Sequence, residues 1–441
     1  VSSVACKVRV AYGSNALATS PSYTDIASMC QTVSVRRGRQ YLTDRTEAGT
    51  AQVGFADKTG LLDPTNASSA FYPINPNCPA QLQLLNPVTS SYVTIYQGLT
   101  QSIEQTALDG GARVNRGVIP MVDLFSLLAL QEVPPSTDFA SGGTGSKASN
   151  TNGNITYVEE TVQDRIKTVL ADCGVPSGMT DIYSGNVRVQ QTTYSPGYSS
   201  LAAIQDAADA EFPGVANFFI GKDGRANFRG RMARFDPGSY ESHSWNVGDI
   251  PTVAANPTTH ALVALADFVF DRDVNRVINN ALFCPRGITD ADIGGQLVYD
   301  ATSITKYGSR SLSGMDLLNA GATTGPNAGD PLAECQMFGD YYVANFKNPG
   351  TRITNVTLRP VSLSAANASV HWNLVCNVEI GDQIAVTVDT PYGTGFGGDL
   401  YFVEGLEYQL VLGGAIPNVT LRLDLSPATF WATMPPHWDN T

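Results

Sequence analysis

The sequence predicts a mainly β protein with an α/β unit set into the middle of the chain. Three observations carry this reading. Short stretches of alternating or continuous apolar residues recur towards both ends, punctuated by Gly, Pro, Asn and Asp. Between about 158 and 211, two segments instead repeat their apolar residues at helical spacing. Of the 441 residues, 43% are hydrophobic and only 15% charged, against a usual charged share of about 25%. There is thus enough apolar surface to offset chain entropy, and much of the exterior is either neutral and polar or covered by partners. A chain this long exceeds one ordinary core, so more than one domain is expected.

Residues up to about 130 read as strands: Cys6–Ala11, Thr32–Arg36, Thr50–Ala56, Gln81–Leu85 and Tyr92–Gly98. Ile103–Leu108 and Arg113–Val118 flank the hairpin signal Asp109–Gly110–Gly111. This spacing suits a small antiparallel barrel or sandwich. Met121–Leu130 is apolar at helical spacing and Pro134–Pro135 stops it, so a short helix is expected to close the domain. Ser136–Asn154, nearly free of apolar residues, reads as a linker.

Val162, Ile166, Val169 and Leu170 then line one face of a helix within Val158–Cys173, with Glu159 and Glu160 early and Gly174 just beyond. Ser199 or Ser200 caps a second helix, Leu201–Glu211. Asn217–Ile220 and Ala226–Arg229 form a hairpin around Lys222–Asp223–Gly224. Strands return at Phe268–Asp271, Val277–Cys284 and Gln296–Asp300. Pro331 suits the first turn of a helix that runs to Phe346 and ends at Asn348–Pro349–Gly350. Thr351–Pro360, Gln383–Val388, Leu400–Leu412 and Asn418–Leu425 complete the strands, with a Gly-rich hairpin tip expected at Tyr392–Gly398. No repeat points to a solenoid or propeller.

The net charge of −13, spread along the chain, favours solubility and opposes non-specific nucleic-acid binding. Cys6, Cys30, Cys78, Cys173, Cys284, Cys335 and Cys376 are widely and irregularly spaced, so buried free thiols and a reducing compartment are expected. No apolar run reaches the ~20 residues of a membrane span, and the first residues lack a signal-peptide core. A soluble chain is expected.

Catalytic patterns fail one by one. His243, His260, His371 and His437 have no partner at metal spacing. Ser311–Leu312–Ser313–Gly314 lacks the first glycine of a nucleophile elbow. The glycines of Gly393–Gly398 precede a strand, where a dinucleotide loop needs a helix. Asp271, Asp273 and Asn275 have calcium-loop spacing, but Arg276 and Leu282 occupy the required Gly and Glu positions. Asp290/Asp292 and Asp57/Asp63 read as turn caps. No catalytic residue, cofactor or metal ligand is assigned, and the chain is expected not to be an enzyme. The densest basic cluster is Arg36, Arg37, Arg39 and Arg45, interleaved with Asp44 and Glu47. It is either an interface read through bidentate carboxylate pairs or a solvated loop with weak local pairs.

The run from Arg36–Arg37–Gly38–Arg39 through Asp44, Glu47 and Ala48–Gly49–Thr50–Ala51 to Gly60, Asp63–Pro64–Thr65–Asn66 and Tyr72–Pro73 closely resembles minor tail proteins of siphoviruses that infect actinobacteria. Leu201–Glu211 with Phe218–Arg229 resembles the helix-and-hairpin unit of tail hub proteins. Tyr307–Ser311, the helix after Pro331, Arg352–Pro360, Ile380–Asp382 and Phe402–Gly405 follow in the expected order, so the resemblance spans nearly the whole chain.

The resemblance implies a phage tail hub-like fold: two antiparallel β-barrels plus a central α/β domain. The barrels would be 1–130 and, discontinuously, 256–310 with 366–427. The α/β domain would be 156–255 with 311–365, the linker 131–155 and a terminal tail 428–441. It further implies a homotrimer in the virion tail tip, assembled in the host cytoplasm. Its partners would be the distal tail protein, tail tube, tape measure protein and tip or fibre proteins. DNA would pass without specific binding, an acidic lining reducing non-specific sticking. Fibre or hydrolase activities would reside outside a chain ending soon after Trp431 and Trp438. The competing expectations are a receptor- or glycan-binding protein and a tail-associated cell-wall hydrolase.

Overall fold

Alternation decides the first strands. In Cys6–Val10, the residues Cys6, Val8 and Val10 are buried while Lys7 and Arg9 stay half-buried on the other face. The same logic runs through Glu47–Asp57, where Gly49, Ala51, Val53, Phe55 and Asp57 point inward. The computed structural model describes residues 6–108, 114–133, 147–149, 154–235, 244–248, 263–264, 267–289, 293–325, 327–360, 368–390, 393–412 and 418–428. The Asp109–Gly110–Gly111 turn, Asp290/Asp292, most of the linker, His243, His260, His437, Trp431 and Trp438 lie outside these residues.

The protein is mainly β, with a 15-stranded sheet and four three-stranded ones among the described residues. One long strand, Gly393–Val411, joins the two ends of the chain in the large sheet. Its first half pairs with Gln383–Thr390 and its second half with Cys30–Gly38, both antiparallel. Its other edge carries Asn418–Pro427. From Cys30–Gly38 the sheet continues through Glu47–Asp57, Val114–Val122, Ser91–Thr100, Pro79–Asn86 and Cys6–Val10. A single hydrophobic cluster spans both halves, from Val8 and Val53 to Trp372, Val386 and Leu421. Among the described residues, backbone pairing closes neither half into a barrel.

The α/β layer packs on this sheet around a core of its own. Thr161 caps the helix Val162–Asp172 and Ser199 caps Ser200–Glu211, whose inward faces meet at Ile166, Leu170, Ile204 and Ala207. The hairpin Asn217–Ile220/Ala226–Arg229 forms as expected, and Thr180–Ile182 adds to it in parallel. A third, aromatic core surrounds the helix Pro331–Phe346, capped by Asp330. There the Phe212 and Phe338 rings stack at 4.5 Å and Tyr341 meets Phe212 edge-on at 5.2 Å.

Several expectations need correction. Met121 and Val122 belong to the strand Val114–Val122, because Asp123 caps the helix Leu124–Leu130 only after them. Arg352–Leu358, expected in the α/β unit, pairs into the large sheet with Asp267–Asp271 and Asn418–Pro427. Asn280–Pro285 and Leu297–Tyr299, expected in the second barrel, instead form a small sheet with Ser311–Leu317. The Gly-rich segment Gly393–Gly398 continues a strand, accommodated by register shifts in its pairing. The ranges assigned to the second barrel, 256–310 and 366–427, also hold two helices that the sequence reading does not give, Ala301–Tyr307 and Ala368–Asn377. Periodicity finds a strand but is silent about its partner, which is a non-local choice.

Candidate functional site at the junction of sheet and α/β layer

The arginine-rich segment lies where three parts of the molecule meet. Gly38 ends the strand Cys30–Gly38 and pairs with Gly405 of the long strand. Its φ is +90°, and a Cβ there would lie 2.2 Å from the Glu404 carbonyl oxygen, so only glycine lets the two backbones approach. Gly49 has a matching reason. A Cβ would lie 2.6 Å from Asp123 Oδ2 and 3.1 Å from Arg37 Cγ.

Glu404 stands where the long strand changes partners. Phe402 is the last residue paired with Gln383–Thr390 and Gly405 the first paired with Cys30–Gly38. The carboxylate is wholly buried and surrounded by donors. Arg39 Nε donates to Oε2 at 2.8 Å, Arg234 Nη1 to Oε1 at 2.5 Å and Arg234 Nη2 to Oε2 at 2.8 Å, while the Ser426 hydroxyl donates to Oε1. Burial alone would raise this carboxyl, but Arg234 and Arg39 outweigh it and hold Glu404 at about 2. The remaining Arg39 donors reach the carbonyls of Asp44 at 2.9 Å and Gly214 at 2.8 Å. One side chain thus ties the arginine loop, the long strand and the α/β layer.

Two further clamps flank it. Arg37 pairs with Glu379 and donates to the Ile220 carbonyl at 3.2 Å. The other Glu379 oxygen accepts from the Lys222 amide at 2.9 Å, and Lys222 Nζ donates to the Asn377 carbonyl at 2.7 Å, near the end of Ala368–Asn377. Arg231 Nη1 lies 2.7 Å from Glu334 Oε2, and its Nε is 3.7 Å from Glu211 Oε1. Glu211 also accepts from the amides of Asn186 and Val187, at 2.9 and 3.0 Å.

The four arginines singled out from sequence therefore separate. Arg37 and Arg39 face inward and are engaged with carboxylates of the same chain, so for these two the solvated-loop alternative does not apply. Arg36 is exposed, opposite Glu407 on the long strand. Arg45 is exposed and pairs with Asp209 at 2.5 Å and Asp206 at 3.8 Å on the helix Ser200–Glu211. Sequence reasoning missed Arg231, Arg234, Glu334 and Glu379 as members of the junction. A signal existed in part: Glu404 follows Phe402–Val403 in an apolar strand, where a charge needs a partner.

The rest of the motif is turn chemistry. Asp57 accepts from the amides of Thr59, Gly60 and Leu62 at 2.7, 3.0 and 2.8 Å, and Asp63 from Thr65 at 2.8 Å. Asp273 caps a short turn through the Asn275 amide. All seven cysteines are buried and free. Among the described residues, no group of three or more His, Cys, Asp or Glu is arranged to hold a metal ion, and no helix is long and apolar enough to cross a membrane.

Fold and junction together define a mainly β protein whose two chain ends share one sheet and are clamped by buried ion pairs to an α/β layer. Two solved structures have this fold along nearly their whole length. A tail protein from Neisseria meningitidis MC58 aligns with a TM-score of 0.54 at 12% identity, covering 97% of this chain and 98% of that one. The 43 kDa tail protein of prophage MuSo2 from Shewanella oneidensis aligns with a TM-score of 0.54 at 9% identity, covering 97% and 99%. No family model and no curated protein sequence matches the chain.

Proposed function

We propose that this chain is a structural hub protein of a bacteriophage tail tip, with no catalytic activity of its own. The observation that carries the reading is the end-to-end fold match to two tail proteins, one of them from a prophage. The motif run from Arg36 to Pro73 supports the narrower assignment to siphoviruses of actinobacteria. In this reading the sheet halves act as two barrel-like units, and three copies assemble into a ring of six such units. That ring joins the tail tube and distal tail protein to the tape measure and tip or fibre proteins. It closes the channel until DNA passes, and the acidic balance of the chain reduces sticking. The mechanism is geometric: the Glu404 and Glu379 clamps fix the angle between sheet and α/β layer, and the Glu334 clamp holds the layer itself together, so each copy presents its edges at one orientation.

Electron microscopy of the purified protein tests this. Three-fold rings with six peripheral lobes are the expected outcome, and a population of monomers at micromolar concentration would overturn it. Incubation with purified peptidoglycan should leave the polymer intact; turnover would favour a tail-associated hydrolase instead.

A further inference from the structure

Two clefts meet along the edge of one strand. The first, of about 560 Å³, is lined by Tyr41, Thr43 and Asp44 on one side and by Ser309, Ser311 and Leu312 on the other. The second, of about 360 Å³, shares Thr43, Asp44 and Leu312 and continues to Ser313, Gly314 and Met315. Consecutive residues of the strand Ser311–Leu317 thus line the groove, as a strand does edge-on; a sheet face would offer every second residue. This strand pairs on one side only, parallel to Asn280–Pro285. Among the described residues no strand pairs with its other side. A row of backbone N–H and C=O groups therefore faces the groove, the condition that invites an added strand.

The groove is apolar along its length, with Leu42, Ile278 and Phe346 in the first cleft and Phe283 and Met315 in the second. Charged side chains beside it are already engaged. Arg276 lies 3.2 Å from Asp271, Arg310 donates to Asn275 Oδ1 at 3.3 Å and Arg45 lies 2.5 Å from Asp209. A charged ligand would have to break these contacts, whereas an uncharged extended segment would not.

Such a segment lies within reach. Leu425, Ser426 and Pro427, at the end of the strand Asn418–Pro427, form one wall of the first cleft. After the buried Ala428, residues 429–434 are Thr, Phe, Trp, Ala, Thr and Met, all uncharged and mostly strand-favouring. Pro435 and Pro436 then lack the N–H that a ladder needs. Six extended residues span about 20 Å, enough to follow most of the seven-residue strand Ser311–Leu317.

We propose that residues 429–434 fill this groove in their own copy and add as a strand to the open edge of Ser311–Leu317. The segment enters beside Pro427 at the Ser309 end and runs towards Met315, parallel to its neighbour. Phe430 and Met434 share one face of such a strand and cover the apolar floor. The seat needs no second copy, so it stands whether or not the chain forms a ring.

Hydrogen exchange of the full chain, followed by mass spectrometry, tests this. Amides of Ser311–Leu317 that point away from Asn280–Pro285 should exchange slowly. They should exchange at least about tenfold faster in Ala432→Pro, which removes a donor from the middle of the added strand. The hairpin Asn217–Ile220/Ala226–Arg229 should keep its protection and so report an intact fold. As a second measurement, Ser313→Cys combined with Ala432→Cys should give a disulfide within one chain on mild oxidation. Rapid exchange in the unaltered chain, equal exchange in both chains, or a disulfide that forms only between two copies would each overturn the proposal.

Discussion

Glu404 and Asp123 are both buried carboxyl groups at the same junction, and their surroundings drive them in opposite directions. Around Glu404 two guanidiniums overcome burial; folded, it titrates near 2 against an ordinary 4.5. Its contribution to stability is therefore present above about pH 4.5 and is lost as pH falls towards 2. Glu404→Gln leaves Arg39 and Arg234 without a counter-charge. Breaking a buried pair in this way costs about 3–5 kcal/mol, readable as a lower urea midpoint. Asp123 accepts from the Gly49 amide at 2.6 Å and the Phe125 amide at 2.9 Å, yet burial prevails and lifts it to about 7 from 3.8. Between those values the folded state holds more protons than the unfolded one. Stability from this group is full below about pH 3.8 and is lost as pH rises through 7. Asp123→Asn should flatten that limb in melting temperatures measured from pH 4 to 8; an unchanged slope would refute the assignment.

Elements with one buried face were legible, and those buried on more than one side were not. Ser200–Glu211 and Pro331–Phe346 carried start and stop signals and were found nearly to the residue, whereas Val162–Asp172 begins four residues after the expected Val158. Ala368–Asn377 was missed because Trp372, Leu374, Val375 and Cys376 are all buried, which erases a 3.6-residue rhythm. Ala301–Tyr307 is short and buries only Ser303, although Asp300 caps it and Gly308 ends it at φ +77°. At the junction, the arginines were visible as a cluster, but their acids lie hundreds of residues away and no local pattern links them. The third core offers a test at this scale. Phe338 is wholly buried against Phe212 and Phe283. Phe338→Ala should cost about 3–5 kcal/mol in chemical unfolding, with the hairpin Asn217–Ile220/Ala226–Arg229 still protected in hydrogen exchange at low denaturant.

At the scale of the whole molecule, the halves are joined by backbone pairing as well as by side chains, so they are expected to unfold as one unit. Coincident transitions by near-ultraviolet and far-ultraviolet dichroism would bear this out; two separated transitions would argue for independent halves. The long strand Gly393–Val411 also sets an order of events during synthesis. Arg39 and Glu404 are 365 residues apart in the chain. At about 5–20 residues per second, roughly 20–70 s pass between their emergence from the ribosome. Throughout that interval the Cys30–Gly38 edge has no long strand to cover it, and Arg39 has no carboxylate. An open edge of this kind is a template for pairing with a neighbouring nascent chain. The charged and polar residues that alternate along it, Gln31, Ser34 and Arg36 among them, leave that waiting edge poorly suited to the wrong partner.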